Sequence, residues 1–387
     1  MSSVHEVSGH RLTLLHSGEE YFPCLLAAIH SARQSIYLEA YIFAADKIGR
    51  LVKEALESAA VREVAVHVVL DGFGAADFPS LWLDEMRMLG VQVLWFRPEV
   101  ARLSFRRQRL RRMHRKLVLI DERIAFVGGI NIIDDMSNET HVTRLDYAVE
   151  VRGPVVAQIT HAMCKLWQLV SWTNLRSTGT RVKKLVRQKS VHHEVVFLIR
   201  DNLRYRRNIE HAYLNAIWHA KHEIIIANAY FLPGERFRDA LRDAAKRGVR
   251  VVLLLQGKVD HILMHYATLA LYQELLNEGI EIHECIQNLL HAKVAVVDGK
   301  WATVGSSNID PFSLWLAREA NLVVQDSGFA GALRESLLHE MQHGSQLVDH
   351  TDWNRQTFWV RFLARCGYAL AKFLAGMTGH ARKHDNI

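Results

Sequence analysis

His114-Arg-Lys116-Leu-Val-Leu-Ile-Asp121 is followed by Gly128-Gly-Ile-Asn131, and the same wording returns as His291-Ala-Lys293-Val-Ala-Val-Val-Asp298 followed by Gly305-Ser-Ser-Asn308. In both copies the first Gly comes seven positions after the Asp, and the Asn three after that Gly. One such match would be weak; two with the same downstream spacing are not accidental. The chain therefore contains two similar units, each donating one His, one Lys and one Asn.

Each motif reads as a β-strand, rich in β-branched residues and closed by a turn residue. Period-2 geometry then puts His114 and Lys116 on one face of their strand, and His291 and Lys293 on one face of theirs. An ammonium beside an imidazole is a costly way to fill a core, but it suits a phosphate. Two Lys and two Asn supply donors to the non-bridging oxygens, where charge builds in a pentacoordinate transition state. One His can attack phosphorus to give a phosphohistidine. The other, on the opposite side, can protonate the leaving alkoxide and then deprotonate an incoming alcohol. The lysines do the neutralising, so this chemistry calls for no metal and no cofactor. Asp121 and Asp298 complete the candidate catalytic set, but at the strand ends they are expected to fix the following turns rather than react. A nucleophilic His needs an orienter on its other ring nitrogen. The candidates are Glu319, 28 residues after His291, and Asp146, 32 residues after His114.

The repeat is wider than the motif. SIYLEAYIF at 35–43 resembles EIIIANAYF at 223–231, each after a helical stretch. Helices near 49–60 and 236–247 lead to strands 64–70 and 249–255; helices near 81–89 and 271–276 lead to strands 91–96 and 280–285. Alternating strands and helices predict an α/β fold. We expect two pseudo-repeated α/β/α sandwich halves, 1–175 and 193–350, around one central cleft, with 176–192 as a polar, basic connector. The helix at 153–173 reads as core, since it follows a strand as a crossover helix would. Glu39 and Asn228 read as matching positions at strand ends, pointing at the cleft as substrate contacts or structural hydrogen bonds. His261 and His265, at i and i+4, suit a metal pair only if a third ligand exists, and none is near in sequence; otherwise they line the cleft mouth.

Residues 97–113 form an insertion that the second half lacks. It carries Arg97, Arg102, Arg106, Arg107, Arg109, Arg111 and Arg112, interleaved with Leu103, Phe105 and Leu110. Such a run is either a solvated face or a cationic lip for anionic headgroups, with Arg111 and Arg112 nearest the motif. The net charge of +7 favours anionic partners without separating lipid from nucleic acid. Four scattered cysteines, none in a CxxC pair, read as free thiols in a reducing compartment. The N-terminal stretch has no apolar run of signal-peptide type, and no stretch approaches the ~20 apolar residues of a membrane span. The tail, 351–387, is amphipathic and basic: Arg361, Arg365 and Lys372 share a helical stripe beside Trp359, Phe362, Leu370 and Phe373. It reads as a helix lying in a membrane interface, with a helix packed on the body or a dimer contact as the alternatives.

These residues resemble the phospholipase D superfamily with its paired HKD motifs. RRMHRK at 111–116, IAFVGG at 124–129, IANAYF at 226–231 and WATVGSSN at 301–308 are similar to the short, B-type bacterial cardiolipin synthases, and the similarity runs from about Arg11 to Asp326. The resemblance implies a phosphatidyltransferase: one phosphatidylglycerol gives its phosphatidyl group to the enzyme, and a second accepts it, releasing glycerol. It implies an active site of His114, Lys116, Asn131, His291, Lys293 and Asn308, with His114 as nucleophile, His291 as general acid/base and Glu319 as orienter. It also implies a peripheral position on the cytoplasmic side of the inner membrane, with an anionic phospholipid as partner and no nucleic acid. Where the family's second motif continues with Arg and Asn, this chain has Phe312 and Ala317, while Ser313 and Glu319 remain. A phospholipase D-type hydrolase, or a nuclease, would use the same residues with water as acceptor. Oligomeric state is left open.

Overall fold

The computed structural model describes residues 3–98, 111–134, 143–173, 194–201, 205–311, 313, 317–349 and 358–377. The expected connector, Arg102, Arg106, Arg107 and Arg109 of the basic insertion, and Phe312 lie outside them.

In chain order the first half comprises β1 (Val4–Val7), β2 (His10–His16), α1 (Ser17–Ser31), β3 (Ser35–Ala40), α2 (Lys47–Val61), β4 (Ala65–Asp71), α3 (Ser80–Met88), β5 (Gln92–Phe96), β6 (Lys116–Ile120), β7 (Ile124–Gly128), β8 (Arg144–Leu145), β9 (Tyr147–Arg152) and α4 (Val156–Thr173). The second comprises β10 (Val195–Arg200), α5 (Asn208–His219), β11 (Glu223–Asn228), α6 (Glu235–Lys246), β12 (Arg250–Gln256), α7 (Ile262–Leu269), α8 (Tyr272–Asn277), β13 (Glu281–Cys285), β14 (Leu289–Leu290), β15 (Lys293–Val297), β16 (Trp301–Gly305), β17 (Glu319–Gln325), α9 (Ser327–Gly344) and β18 (Ser345–Val348). The helix α10 (Phe358–Met377) follows.

The sheets run β1-β2-β9-β7-β6-β3-β4-β5 and β10-β17-β16-β15-β11-β12-β13-β18. From β2 to β5 and from β10 to β13 they match strand for strand, so the repeat seen in the motifs extends to the whole architecture. In each, three parallel strands (β3, β4, β5; β11, β12, β13) join an antiparallel run through β6 or β15. Of these, β4, β11 and β12 are near-continuous apolar runs because both of their faces are covered.

Three apolar cores result. One lies outside the first sheet under α1 and α2 and holds Leu25, Ile29, Val52 and Leu56. One lies outside the second under α5, α6 and α8 and holds Leu214, Phe237, Leu241 and Leu275. The third joins the inner faces of both sheets: Leu117, Val127 and Val149 share it with Val294, Val304 and Leu322, and α4 and α9 fill it with Met163, Trp167, Leu333 and Leu337. The shared core brings the ends of β6 and β15 to one place.

Two expectations need correction. β6 and β15 begin at Lys116 and Lys293, so the histidines lie outside the strands. The reason is that the residues around each His pair with the other half instead: Met113 bridges to Arg318, and β14 pairs in parallel with β8. Second, Glu39 and Asn228 are not equivalent. Glu39 faces Leu117 across the β3–β6 pair, whereas Asn228 faces Lys293, the counterpart of Lys116. Glu39 therefore matches Ala227 and Asn228 matches Ala40, and in a strand one residue of slip exchanges the faces.

The helix α10 is apolar on two sides. Ala364 and Ala371 are buried in the outer core of the second half, with Val360 and Tyr368 packed against it. At Gly367 the approach to α7 is so close that a Cβ would lie 3.0 Å from the Cβ of Tyr266. The opposite side leaves Trp359, Phe362, Leu363, Leu370 and Phe373 exposed.

Candidate active site

The site is built by exchange between the halves. His114 N–H donates to the Arg318 carbonyl at 2.9 Å, and His291 N–H donates to the Leu145 carbonyl at 2.8 Å. The residue after each acceptor is a carboxylate. Glu319 thereby reaches His114 Nδ1 at 3.0 Å, and Asp146 reaches His291 Nδ1 at 2.6 Å. Each histidine is thus oriented by a carboxylate from the opposite half. With both Nδ1 atoms engaged, the Nε2 atoms are the ones available for chemistry.

Glu319 has a further partner, the Ser306 hydroxyl, at 2.6 Å. At the equivalent position the first half has Gly129, where a Cβ would come within 2.3 Å of Asp146 Oδ1. The longer carboxylate is therefore held by a hydroxyl, and the shorter one occupies the room that a missing side chain leaves. Ser306 was legible only as a difference between Gly-Gly-Ile-Asn and Gly-Ser-Ser-Asn.

Lys116 Nζ donates to the His114 carbonyl at 2.9 Å, and Lys293 Nζ donates to the His291 carbonyl. Burial pushes Lys116 down to about 7 and Lys293 down to about 8. Glu319 and Asp146 respectively pull the other way, which keeps the ammonium forms within reach of neutral pH. Burial also lowers the His114 pKa against the pull of Glu319, and burial with Lys293 lowers that of His291 well below the ordinary value. The lowering leaves His114 in the neutral form that a nucleophile needs. As general acid His291 must carry a second proton, and the Asp146 carboxylate 2.6 Å from its Nδ1 stabilises that form. Burial lifts Asp146 to about 6.

Asn131 and Asn308 are buried. Asn131 Oδ1 accepts from Ile42 N–H at 3.3 Å, which orients its amide. Asn308 Oδ1 and Asn228 Nδ2 are buried with no hydrogen-bond partner among the described residues. Asn228 otherwise has a bracing role, its Oδ1 accepting from Ile309 N–H at 3.1 Å.

Of the remaining expected site residues, several do other work. Asp121 accepts from the backbone N–H groups of Arg33, Gln34 and Ser35, and Asp298 from those of Lys221, His222 and Glu223. Both therefore secure the start of the neighbouring strand, β3 or β11, rather than the turn that follows them. Partial burial raises each carboxyl, but the three N–H donors outweigh it and hold both below the ordinary value. Glu39 is buried 3.7 Å from Arg115, in an ion pair inside the protein. Arg112 holds its guanidinium 5.1 Å from the Phe73 ring and 3.8 Å from Asp71. The Arg111 carbonyl accepts from Arg97.

Tyr41 escaped the sequence reading. Its ring stands edge-on to His114 at 4.7 Å between centroids, with Lys116 Nζ 5.3 Å from its centre.

Comparison with known proteins agrees with this geometry. Residues 25–167 and 213–341 match the family described as cardiolipin synthase, PLD-like domain. The chain is 39% identical to cardiolipin synthase B of Escherichia coli strain K12 over 353 residues, covering 91% of this chain and 85% of that one. The figures are the same for cardiolipin synthase B of Salmonella typhimurium strain LT2. Among solved structures, phosphatidylserine synthase of Haemophilus influenzae superposes with a TM-score of 0.69 over 94% of each chain, at 13% identity, a likeness of fold alone. With both motifs assembled across a two-sheet core and the match spanning most of its length, this chain belongs to the PLD-like cardiolipin synthase family.

Proposed function

We propose that this protein is a cardiolipin synthase that transfers a phosphatidyl group from one phosphatidylglycerol to another. The observation that carries the reading is the convergence of two carboxylate-oriented imidazoles and two buried lysines. His114 Nε2 attacks phosphorus, the bond from phosphorus to the glycerol oxygen breaks, and His291 supplies the proton that the leaving oxygen takes. A hydroxyl of the second phosphatidylglycerol then gives its proton to His291 as its oxygen attacks phosphorus, and the P–N bond to His114 breaks. Lys116, Lys293, Asn131 and Asn308 hold the phosphoryl oxygens through both steps. In this reading the halves 1–175 and 193–350 contribute one histidine each, and Glu319 and Asp146 act as positioning residues.

We further propose that the protein works peripherally on the cytoplasmic face of the inner membrane. Support comes from α10, where exposed Trp359, Phe362 and Phe373 accompany Arg361, Arg365 and Lys372 with no acidic residue in the helix. No helix among the described residues is long and apolar enough to cross a membrane.

The test is product analysis. Purified protein incubated with phosphatidylglycerol vesicles, with and without EDTA, should yield cardiolipin and free glycerol by mass spectrometry. Phosphatidic acid as the only lipid product would make the protein a hydrolase and overturn the reading.

A further inference from the structure

The two halves match strand for strand, so a difference beside the two histidines is informative. Ile36 pairs with Ile120 and Ile224 with Val297, and these are equivalent pairs. Counting on from them, Tyr41 is the counterpart of Ala229. On the His114 side the Tyr41 ring fills the flank of the imidazole, and Gly74 closes behind it, where a Cβ would lie 2.7 Å from the ring. On the His291 side Ala229 offers no ring.

Beside Ala229 lies a polar recess lined also by Tyr230, Gln256, Asp260 and His265, with Met264, Thr268 and Tyr272 at its back. Two of its walls grip the chain on either side of His291: Ala229 N–H donates to the Ala292 carbonyl at 3.0 Å, and Gln256 Nε2 donates to the Leu290 carbonyl at 3.1 Å. At its edge the Tyr230 hydroxyl donates to the Asp260 carboxylate at 2.6 Å. His265 comes from α7, which follows β12; after the equivalent strand, β4, the first half has the loop carrying Phe73 and Gly74, and then α3. The recess has room for about one water-sized group, hence for one hydroxyl rather than a whole headgroup.

In an in-line displacement the leaving and the arriving alcohol both lie opposite the nucleophile, on the side of the general acid/base. We propose that this recess binds a second hydroxyl of the polyol headgroup, the one neighbouring the reacting oxygen, with Asp260 accepting from it. The inference rests on the cardiolipin synthase reading and deepens it: a glycerol headgroup is selected over a simple alcohol, and over water, because it alone offers a hydroxyl to the recess while another reacts. It also gives His291 the acid/base role for a reason internal to this structure.

The experiment compares wild type with Asp260→Asn and Tyr230→Phe on phosphatidylglycerol vesicles, reading the ratio of cardiolipin to phosphatidic acid. Both products come from the same phosphohistidine, so a general loss of folding lowers both and leaves the ratio unmoved. The expected result is a fall in the ratio of about ten-fold in Asp260→Asn, the size of one charge-assisted hydrogen bond. A second arm supplies glycerol or 1-propanol as acceptor: wild type should favour glycerol, and Asp260→Asn should lose that preference. Wild-type ratio and preference in both variants would overturn the inference alone. A wild-type protein that makes phosphatidic acid and no cardiolipin would overturn the function reading and the inference with it.

Discussion

His114 and Glu319 stand 205 positions apart in the chain and 3.0 Å apart in space. The contact is mirrored by His291 and Asp146, so neither histidine is oriented by its own half. Glu319→Gln keeps the shape but removes the charge that stabilises a protonated or phosphorylated ring. We expect turnover to fall roughly 10³- to 10⁴-fold, as when a buried triad carboxylate is neutralised, with the melting temperature little changed. A loss of fold without a change in the pH profile of the residual activity would refute the positioning role.

His114→Ala and His291→Ala should each abolish transfer, and the double variant should be no worse than either single one, because the two act as a unit. Intact-mass spectrometry after mixing with phosphatidylglycerol should detect a phosphatidyl adduct only in proteins that retain His114. An adduct in His114→Ala would reverse the assignment.

The pairing of Gly129 with Asp146 and of Ser306 with Glu319 predicts unlike effects. Gly129→Ala places a Cβ 2.3 Å from Asp146 Oδ1 and must displace it. We expect a destabilisation of about 1–3 kcal/mol and a displaced His291. Ser306→Ala makes no clash but removes the hydroxyl that donates to Glu319 and accepts from Ala320 N–H at 3.0 Å, and should cost about 1–3 kcal/mol while leaving His291 in place. Thermal melts of the two variants check the costs, and the pH profiles of their initial rates check which histidine is disturbed.

The lysine pKa values set a pH dependence. A base held below its ordinary value loses its proton at lower pH, so the cationic cradle discharges as pH rises through about 7 and 8. A bound oxyanion favours the charged form, and affinity must fall as that form is lost, by up to about ten-fold per pH unit for each lysine discharged. Calorimetric titration with tungstate, whose charge is constant in this range, should show weakening from pH 7 to 9. Affinity constant to pH 9 would mean that the lysines titrate near their ordinary ~10.4.

The two sides of α10 predict two separable effects. Gly367→Leu meets the backbone and Cβ of Tyr266 and should loosen the helix from α7, costing about 1–3 kcal/mol. Replacing exposed Trp359 and Phe373 by Ser should leave the melt unchanged and weaken sedimentation with phosphatidylglycerol vesicles. Unaltered sedimentation would show that the exposed side serves something other than lipid.

What could be read from the chain alone follows from periodicity. The twin motifs, the strands around them and the two-half α/β plan all show as repeated patterns of β-branched and turn residues. Glu319 and Asp146 were reachable because each begins or precedes an apolar strand at a similar distance from its motif, although only the folded chain reveals that they cross over. The failures are also physical. Glu39 and Asn228 look equivalent when two strands are aligned by eye, and a slip of one residue assigns the wrong face. Asp121 and Asp298 sit in the signature and yet bind backbone of a neighbouring strand, which no local pattern encodes. In α10 the aromatics and cations drew attention, while the packing side is written in Ala364, Gly367 and Ala371, whose importance lies in being small. The recess on the His291 side lies where Ala229 offers no ring.

The exchange of carboxylates has a consequence in time as well as in space. The ribosome delivers His114 long before Glu319, and the intervening chain includes the whole second motif. Until β15 is made the first imidazole lacks the opposing lysine, and until β17 is made it lacks its orienter. The complete site therefore exists only once synthesis has passed Glu319 and both sheets have closed on their common core.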